Sequence, residues 1–124
     1  MIKAKDIEIF KNISQEEYGG RYYDFHNDFD CVKISMAKKE LMLDLKSVLN
    51  KQIVKICFLN VSIVMFDFFN LNNEIELTID NLYRGKTVVN GNLVEFENHV
   101  NGYFYLDFVD GQKVEFWSTG LCVI

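Results

Sequence analysis

The densest group of polar side chains in the 124-residue sequence lies between Asp24 and Asp30. Alternate side chains of an extended strand share one face, which would here hold Asp24, His26, Asp28 and Asp30. Three carboxylates and an imidazole can bind a divalent cation, so these residues are a candidate metal site. The alternative is a capped turn, whose carboxylates accept backbone N–H groups above packed aromatic rings. No ligand-spacing rule is met, and the sequence therefore favours the turn.

Side chains that could carry out catalysis are few. The histidines of the chain are His26 and His99, and neither lies in a recognisable catalytic signature. There is no Gly-x-Ser-x-Gly motif, and the glycine pair at Gly19 and Gly20 is too short for a phosphate-binding loop. Nucleophilic catalysis needs a nucleophile, a base and a group that orients the base. We therefore predict no enzymatic activity and no cofactor, and a hydrolase is the least favoured alternative.

Acidic side chains are spaced so that they would share the outer faces of strands. The formal net charge is −5, and the absence of a basic run argues against nucleic acid as the partner. An acidic face would steer a basic protein partner onto this chain by electrostatic attraction. The alternative is that the carboxylates keep a sheet soluble. The predicted outward-facing carboxylates are Glu74, Glu76, Asp80, Glu95 and Glu97.

Aromatic residues make up 15% of the chain and are predicted to supply much of its core. Near the C-terminus, Phe104, Phe108 and Trp117 are predicted to be buried. Tyr103 and Tyr105 alternate with Phe104, so in a strand they point to the opposite face. Because aromatic residues anchor many protein–protein contacts, Tyr103 and Tyr105 are predicted to be binding residues on the surface.

Strands are needed to position these side chains, and the C-terminal half of the sequence predicts several. Val114 and Phe116 alternate with Lys113 and Glu115, which is the period of a half-buried strand. We predict a single mainly β domain, an antiparallel β-sandwich or strongly curved sheet of about eight to ten strands. Tight hairpin turns are predicted at Asn90-Gly91, Asn101-Gly102 and Asp110-Gly111.

Two segments of the chain have mixed patterns. Residues 37–50 fit a strand or a helix, and the neighbouring strands that need partners favour the strand. A short helix is predicted within residues 5–18. Ser14 and Glu17 have the spacing of a capping box, and the glycine pair that begins at Gly19 would end the helix.

The sequence also predicts where the protein is found. The first residues lack an apolar signal segment, and the most apolar stretch, residues 53–69, is too short to span a bilayer. Cys31, Cys57 and Cys122 lie in apolar stretches and are predicted to be reduced thiols. We therefore predict a cytoplasmic protein without a membrane partner.

The stretch GGRYYDFHND at residues 19–28 resembles the N-terminal motif of a family of small bacterial immunity proteins from polymorphic toxin systems. Tyr23 stands where that family has proline, and Asn27 stands where it has an acid. The resemblance implies an all-β domain that binds and neutralises a toxin encoded beside it, without catalysis of its own. Later stretches similar to the family are VKICFLNV at 54–61, NNEIELTI at 72–79 and FYLDFVDG at 104–111.

The leading prediction is therefore a non-catalytic protein-binding module, namely an immunity protein that neutralises a cognate bacterial toxin with a basic surface. A homodimer is compatible with the sequence. The alternative prediction is a small-ligand or metal-binding β domain that uses the cluster from Asp24 to Asp30.

Overall fold

The computed structural model describes residues 1–68, 76–85, 87–95 and 101–124. These residues are mainly β-strands, with one 3-10 helix at Ala4–Asp6. The strands in chain order are β1 (Ile2–Lys3), β2 (Gln15–Tyr18), β3 (Arg21–Asp24), β4 (Phe29–Ala37), β5 (Glu40–Ser47), β6 (Ile53–Leu59), β7 (Ser62–Asp67), β8 (Ile79–Arg84), β9 (Thr87–Val89), β10 (Asn92–Val94), β11 (Gly102–Phe108), β12 (Lys113–Ser118) and β13 (Gly120–Val123).

Two antiparallel sheets pack against each other around one core. The first has five strands in the order β1-β13-β6-β5-β4, and the second has four in the order β7-β12-β11-β8. Two separate hairpins are formed by β2 with β3 and by β9 with β10. The ring of Phe58 on β6 contacts Phe104 and Phe116 of the second sheet, at centroid distances of 5.3 and 4.8 Å. The predicted mainly β fold is confirmed.

Alternation of side chains with period two determines which residues fill the core. On β5, Leu41, Leu43 and Leu45 are each no more than 2% exposed, and the residues between them face away from the core. On β12, Val114 and Phe116 are fully buried in the same way. Burying one large apolar side chain stabilises a fold by about 1.5–3 kcal/mol. The strand predicted within residues 37–50 is therefore confirmed as β5.

Positive φ angles mark the tight turns of the structure. Asn90, with φ 51°, lies between β9 and β10, and Gly111, with φ 96°, lies between β11 and β12. Both turns are as predicted. The turn predicted at residues 101–102 is wrong, because Gly102 begins β11. A Cβ atom on Gly102 would lie 2.9 Å from the Cβ of Ala4, so glycine is needed here for close packing.

The helix predicted within residues 5–18 is wrong. The chain makes a single 3-10 turn at Ala4–Asp6, and Gln15–Tyr18 form a strand instead. That strand pairs with β3 through a tight turn at Gly19 and Gly20, where φ is 58° and 81°. The glycine pair therefore closes a hairpin and does not end a helix.

Long-range hydrogen bonds explain why the N-terminal segment is extended. Ser14 does not cap a helix, because its N–H and its hydroxyl both donate to Oδ1 of Asn12. The N–H of Ile13 donates to the carbonyl of Leu82 on β8 over 2.7 Å. The segment thus runs beside β8 at one edge of the second sheet, and these tertiary contacts override its helix propensity.

The three cysteines are free thiols. Cys31 is fully buried, and loss of solvent raises the pKa of its thiol to about 12. Cys57 lies opposite Cys122 across β6 and β13, and burial raises the pKa of Cys57 to about 11. Since the thiolate is the reactive form, the raised pKa values lower the reactivity of Cys31 and Cys57 at neutral pH.

Candidate functional site

The polar cluster that begins at Asp24 forms a capped turn between β3 and β4. Oδ1 of Asp24 accepts hydrogen bonds from the backbone N–H groups of His26 and Asn27, at 3.2 and 2.9 Å. Oδ2 accepts a bond of 2.8 Å from the side-chain amide of Asn27. Desolvation opposes ionisation of this carboxyl, but the hydrogen bonds from Asn27, Gln15 and His26 lower the pKa of Asp24 below its ordinary value.

The other polar residues of the cluster do not join Asp24 in one site. His26 directs Nδ1 at the carbonyl oxygen of Ile79, Asp28 is exposed, and Asp30 is half-buried on β4. Within the described ranges, no three His, Cys, Asp or Glu side chains converge closely enough to hold a metal ion. Asp24 therefore caps a turn, which is the arrangement that the sequence favours over a metal site.

Aromatic rings pack beneath this turn. Tyr23 stacks on Phe25 with a centroid distance of 5.2 Å and an interplanar angle of 10°. Phe25 is fully buried and also contacts Phe29 and Tyr18, at 5.3 and 6.1 Å. The turn therefore anchors the hairpin of β2 and β3 to the core.

Replacing Asp24 by alanine should lower the free energy of unfolding by about 1–2 kcal/mol, because two backbone N–H groups lose their acceptor. Since the pKa of Asp24 is lowered in the fold, this contribution is present above the unfolded pKa of about 4. It is lost as pH falls through the lower, folded pKa. Urea unfolding at neutral and acidic pH measures the difference between the variant and the parent protein.

The matched control for this prediction is Asp28→Ala. The Asp28 side chain is exposed in the same turn and makes no hydrogen bond to the described residues. Its replacement should change the free energy of unfolding by less than about 0.5 kcal/mol. Equal losses for the two variants at neutral pH would contradict the role given to Asp24.

Two members of the predicted acidic face, Glu76 and Asp80, are exposed in the structure. Glu74 and Glu97 lie outside the described residues. These two carboxylates are in solvent, Glu76 just before β8 and Asp80 within it.

Glu95 differs from the other acidic residues, and the prediction that it faces solvent is wrong. Its Oε1 lies 2.6 Å from Nε of Arg84, and both side chains are 12% exposed. The same oxygen accepts the backbone N–H of Tyr103 at 3.4 Å. Arg84 also donates from Nη1 to the carbonyls of Ala4 and Ile7. The ion pair joins β8 to the residue that follows β10, and the Nη1 hydrogen bonds join β8 to the N-terminal segment, so Glu95 has a structural role.

The outer side of the four-stranded sheet carries a group of aromatic and charged side chains, which we call the tyrosine face. Tyr105 on β11 lies between Tyr83 on β8 and Glu115 on β12, because the three residues are register partners. The same registers bring the other members alongside them. The aromatic and charged members of the face are Asp67, Tyr83, Tyr103, Tyr105, Asp107, Lys113, Glu115 and Trp117.

Ring contacts fix the aromatic members of the tyrosine face. Tyr83 stacks on Tyr105 with a centroid distance of 5.1 Å and an interplanar angle of 16°. Phe10 of the N-terminal segment meets Tyr83 edge-on at 5.9 Å, and Tyr103 meets Trp117 in the same manner at 5.1 Å. Tyr105 is half-buried, whereas Tyr103 is only 6% exposed. The prediction that Tyr103 is a surface residue is therefore wrong, and Tyr105 is the accessible one of the two.

Tyrosine hydroxyl groups hold two carboxylates of the face in place. Tyr103 donates to Oε1 of Glu115 at 2.8 Å, and Tyr105 donates to Oδ2 of Asp107 at 3.4 Å. Oδ1 of Asp107 accepts two further bonds from Asn81, at 2.9 and 3.1 Å. Burial and the nearby carboxylates raise the pKa of Tyr103 and Tyr105, so both hydroxyls remain donors at neutral pH.

Several members of this face are not predicted from the sequence. Trp117 was expected in the core, but it follows the buried Phe116 and therefore points to the outer side of β12. Alternation is the signal that could have placed it there. Tyr83, Asp107 and Glu115 were also missed, because they become neighbours through strand pairing that a single sequence does not specify.

The edge strand β7 presents a separate, apolar surface. Ile63, Val64 and Phe66 are 39%, 55% and 57% exposed. Among the described strands, β7 pairs with β12 alone, so it is an edge strand of the second sheet. An exposed apolar edge can pair with another chain. The β7 edge is therefore a second candidate surface for binding a protein partner, beside the tyrosine face.

A cavity of about 310 Å³ lies between the N-terminal segment and β2. Ile2, Ile7 and Ile13 give it an apolar lining, and Lys11 pairs with Glu16 at its rim over 2.9 Å. Its lining residues include no member of the cluster at residues 24–30. The cavity therefore does not provide the small-ligand site that the sequence suggested for that cluster.

Comparison with known proteins adds no relative. No family model matches the chain, and neither the curated proteins nor the solved structures include a significant match. The described residues form no helix that is long and apolar enough to cross a membrane.

Proposed function

We propose that this protein is a non-catalytic binding module that recognises another protein through the tyrosine face and neutralises a bacterial toxin in the cytoplasm. The observation that carries the proposal is the composition of that face. Its stacked Tyr83 and Tyr105 lie beside Asp107 and Glu115, which tyrosine hydroxyls hold in place. Tyr and Trp are enriched among the residues that contribute most to protein binding.

Rigidity of the rings favours binding at this face. Association is opposed by the entropy lost when side chains become ordered. Tyr105 is held by Tyr83 on one side, and Tyr83 is held in turn by Phe10. Rings that are already fixed lose little freedom when a partner covers them, so more of the contact energy is retained as affinity.

Charge supports a protein partner that is basic. The chain carries a net charge of −5, and Glu76 and Asp80 are exposed beside the second sheet. Attraction between opposite charges speeds association, whereas a nucleic-acid phosphate backbone would be repelled. The resemblance of residues 19–28 to small immunity proteins supports a toxin as the basic partner.

Co-expression with each protein encoded beside the gene tests the proposal. One of those proteins should stop bacterial growth when expressed alone, and this chain should restore growth. The purified pair should bind, and the double variant Tyr83→Ala, Tyr105→Ala should weaken binding by about 100-fold or more, because it removes two anchoring rings. Calorimetry measures the affinity, and circular dichroism confirms that the variant is folded.

The control for this experiment is Phe66→Ala, which shortens an exposed ring on β7 without touching the tyrosine face. It should leave the affinity unchanged. If it weakens binding while the double tyrosine variant does not, the β7 edge is the interface and the tyrosine face is not. If no neighbouring gene product is neutralised, the toxin proposal fails.

A further inference from the structure

We infer that the tyrosine face binds the guanidinium group of an arginine on the partner protein, beside the ring of Tyr105 and the carboxylates of Asp107 and Glu115. The inference rests on the proposed function and names the chemistry of the contact. It follows from the charge balance of the face, from a cation that already lies near Tyr105, and from the fixed orientation of the carboxylates.

Negative charge exceeds positive charge on the tyrosine face. Among the described residues, its carboxylates are Asp67, Asp107 and Glu115, and its basic residue is Lys113. None of the ion pairs among the described residues involves these three carboxylates. A partner that covers the face must therefore bring positive charge, because burying carboxylates without a cation is unfavourable.

Lys113 shows where a cation lies on this face. Its Nζ is 6.0 Å from the centroid of the Tyr105 ring. That distance is at the outer limit of a cation–π contact, at which attraction is weak. The ammonium of Lys113 also lies too far from Asp107 and Glu115 to form an ion pair. A cation from the partner can therefore displace it at little cost.

The carboxylates are oriented before a partner binds. Glu115 accepts the Tyr103 hydroxyl on Oε1, and Oε2 has no hydrogen bond to the described residues. On Asp107, Oδ1 accepts two bonds from Asn81, while Oδ2 accepts the long bond of 3.4 Å from Tyr105. Each carboxylate thus keeps an oxygen that can accept a donor from outside.

Arginine fits this arrangement better than lysine. A guanidinium is planar, so it can lie on the exposed part of the Tyr105 ring while its N–H groups reach the carboxylates. A guanidinium is also less strongly hydrated than an ammonium, so it loses less hydration free energy when water is excluded. Lys113 is a compact cation on a flexible stem. It lies 6.0 Å from the Tyr105 ring and forms no ion pair with Asp107 or Glu115.

Peptide titration of the ¹⁵N-labelled protein tests the inference without the natural partner. The probes are three short Gly/Ser peptides of one length that carry arginine, lysine or citrulline. The arginine peptide should shift the amide signals of Tyr105 and Asp107, and it should bind about threefold to tenfold more tightly than the lysine peptide. The citrulline peptide, which is uncharged, should cause no shift.

Lys113→Met supplies the sharper comparison. Removing the competing cation should raise the affinity for the arginine peptide about threefold or more. Asp107→Asn should lower that affinity by a similar factor. Asp107→Asn keeps an oxygen for Asn81, so the fold is retained. Lys33→Met, at an exposed lysine of β4 in the other sheet, changes the net charge equally and should leave the affinity nearly unchanged.

Three results would overturn the inference: equal binding of the arginine and lysine peptides, signal shifts that map elsewhere, or equal tightening by Lys113→Met and Lys33→Met. These failures are distinct from failure of the proposed function. If the peptide test fails but the natural partner still binds the Tyr83→Ala, Tyr105→Ala variant more weakly, the tyrosine face remains the interface. Only the guanidinium contact is then excluded.

Discussion

Replacing Arg84 by methionine should lower the free energy of unfolding by about 3–5 kcal/mol, since breaking a buried ion pair leaves its other charge uncompensated. Nε of Arg84 is 2.6 Å from Oε1 of Glu95, and each side chain is 12% exposed. Nη1 donates to the carbonyls of Ala4 and Ile7, at 2.9 and 3.3 Å. One substitution therefore removes the cation from a largely buried carboxylate and a shared donor from two carbonyls.

Two further variants make this prediction specific. Lys55→Met breaks an ion pair with Asp44 that is longer, at 3.6 Å, and more exposed. It should cost less than about 1 kcal/mol, as exposed pairs do. The double variant Arg84→Met, Glu95→Gln should be more stable than Arg84→Met alone, because no unpaired charge remains. Urea unfolding provides all three values, and equal losses at Arg84 and Lys55 would contradict the role assigned to Arg84.

The strands were predictable wherever one chain segment contains its own signal. Leu41, Leu43 and Leu45 are buried as the period-two pattern requires, although the same segment also fits a helix. The turns at Asn90 and Gly111 were predictable because few residues tolerate a positive φ angle. These features are local, so a single sequence specifies them.

Features that depend on distant partners were not predictable. The spacing of Ser14 and Glu17 satisfies a capping box, yet this segment bonds to β8, which is far along the chain. Likewise, Glu95 fits an outward strand position, but Arg84 lies close enough to pair with it. In both cases a tertiary contact overrides a valid local pattern.

The tyrosine face combines features that one segment specifies with features that depend on distant partners. Alternation alone placed Tyr103 and Tyr105 opposite Phe104, and that prediction is confirmed by their positions on β11. The stack between Tyr83 and Tyr105 depends on the register of β8 against β11, which includes an irregularity near Asp107. A register shift of one residue would turn Tyr83 to the other side of the sheet, so the stack could not be derived from composition or spacing.

Phe58→Ala should lower the free energy of unfolding by about 3–5 kcal/mol, the range found when a large buried aromatic side chain is removed. Phe58 is fully buried, and its ring contacts Phe104 and Phe116 edge-on across the two sheets. Its loss leaves a cavity at the contact that joins the sheets. Because β6 and β12 are both constrained by pairing within their own sheets, the surrounding side chains can close this cavity only in part.

Phe66→Ala and Phe58→Leu separate this cavity effect from the loss of any aromatic ring. Phe66 also lies in a ring contact, stacked on Phe68 at 4.4 Å, but it is 57% exposed. Its replacement leaves no enclosed space and should cost less than about 1 kcal/mol. Phe58→Leu keeps most of the buried volume and should cost less than about 1.5 kcal/mol. Similar losses for Phe58→Ala and Phe66→Ala would mean that Phe58 does not join the two sheets, because an enclosed ring must cost more to remove than one half in solvent.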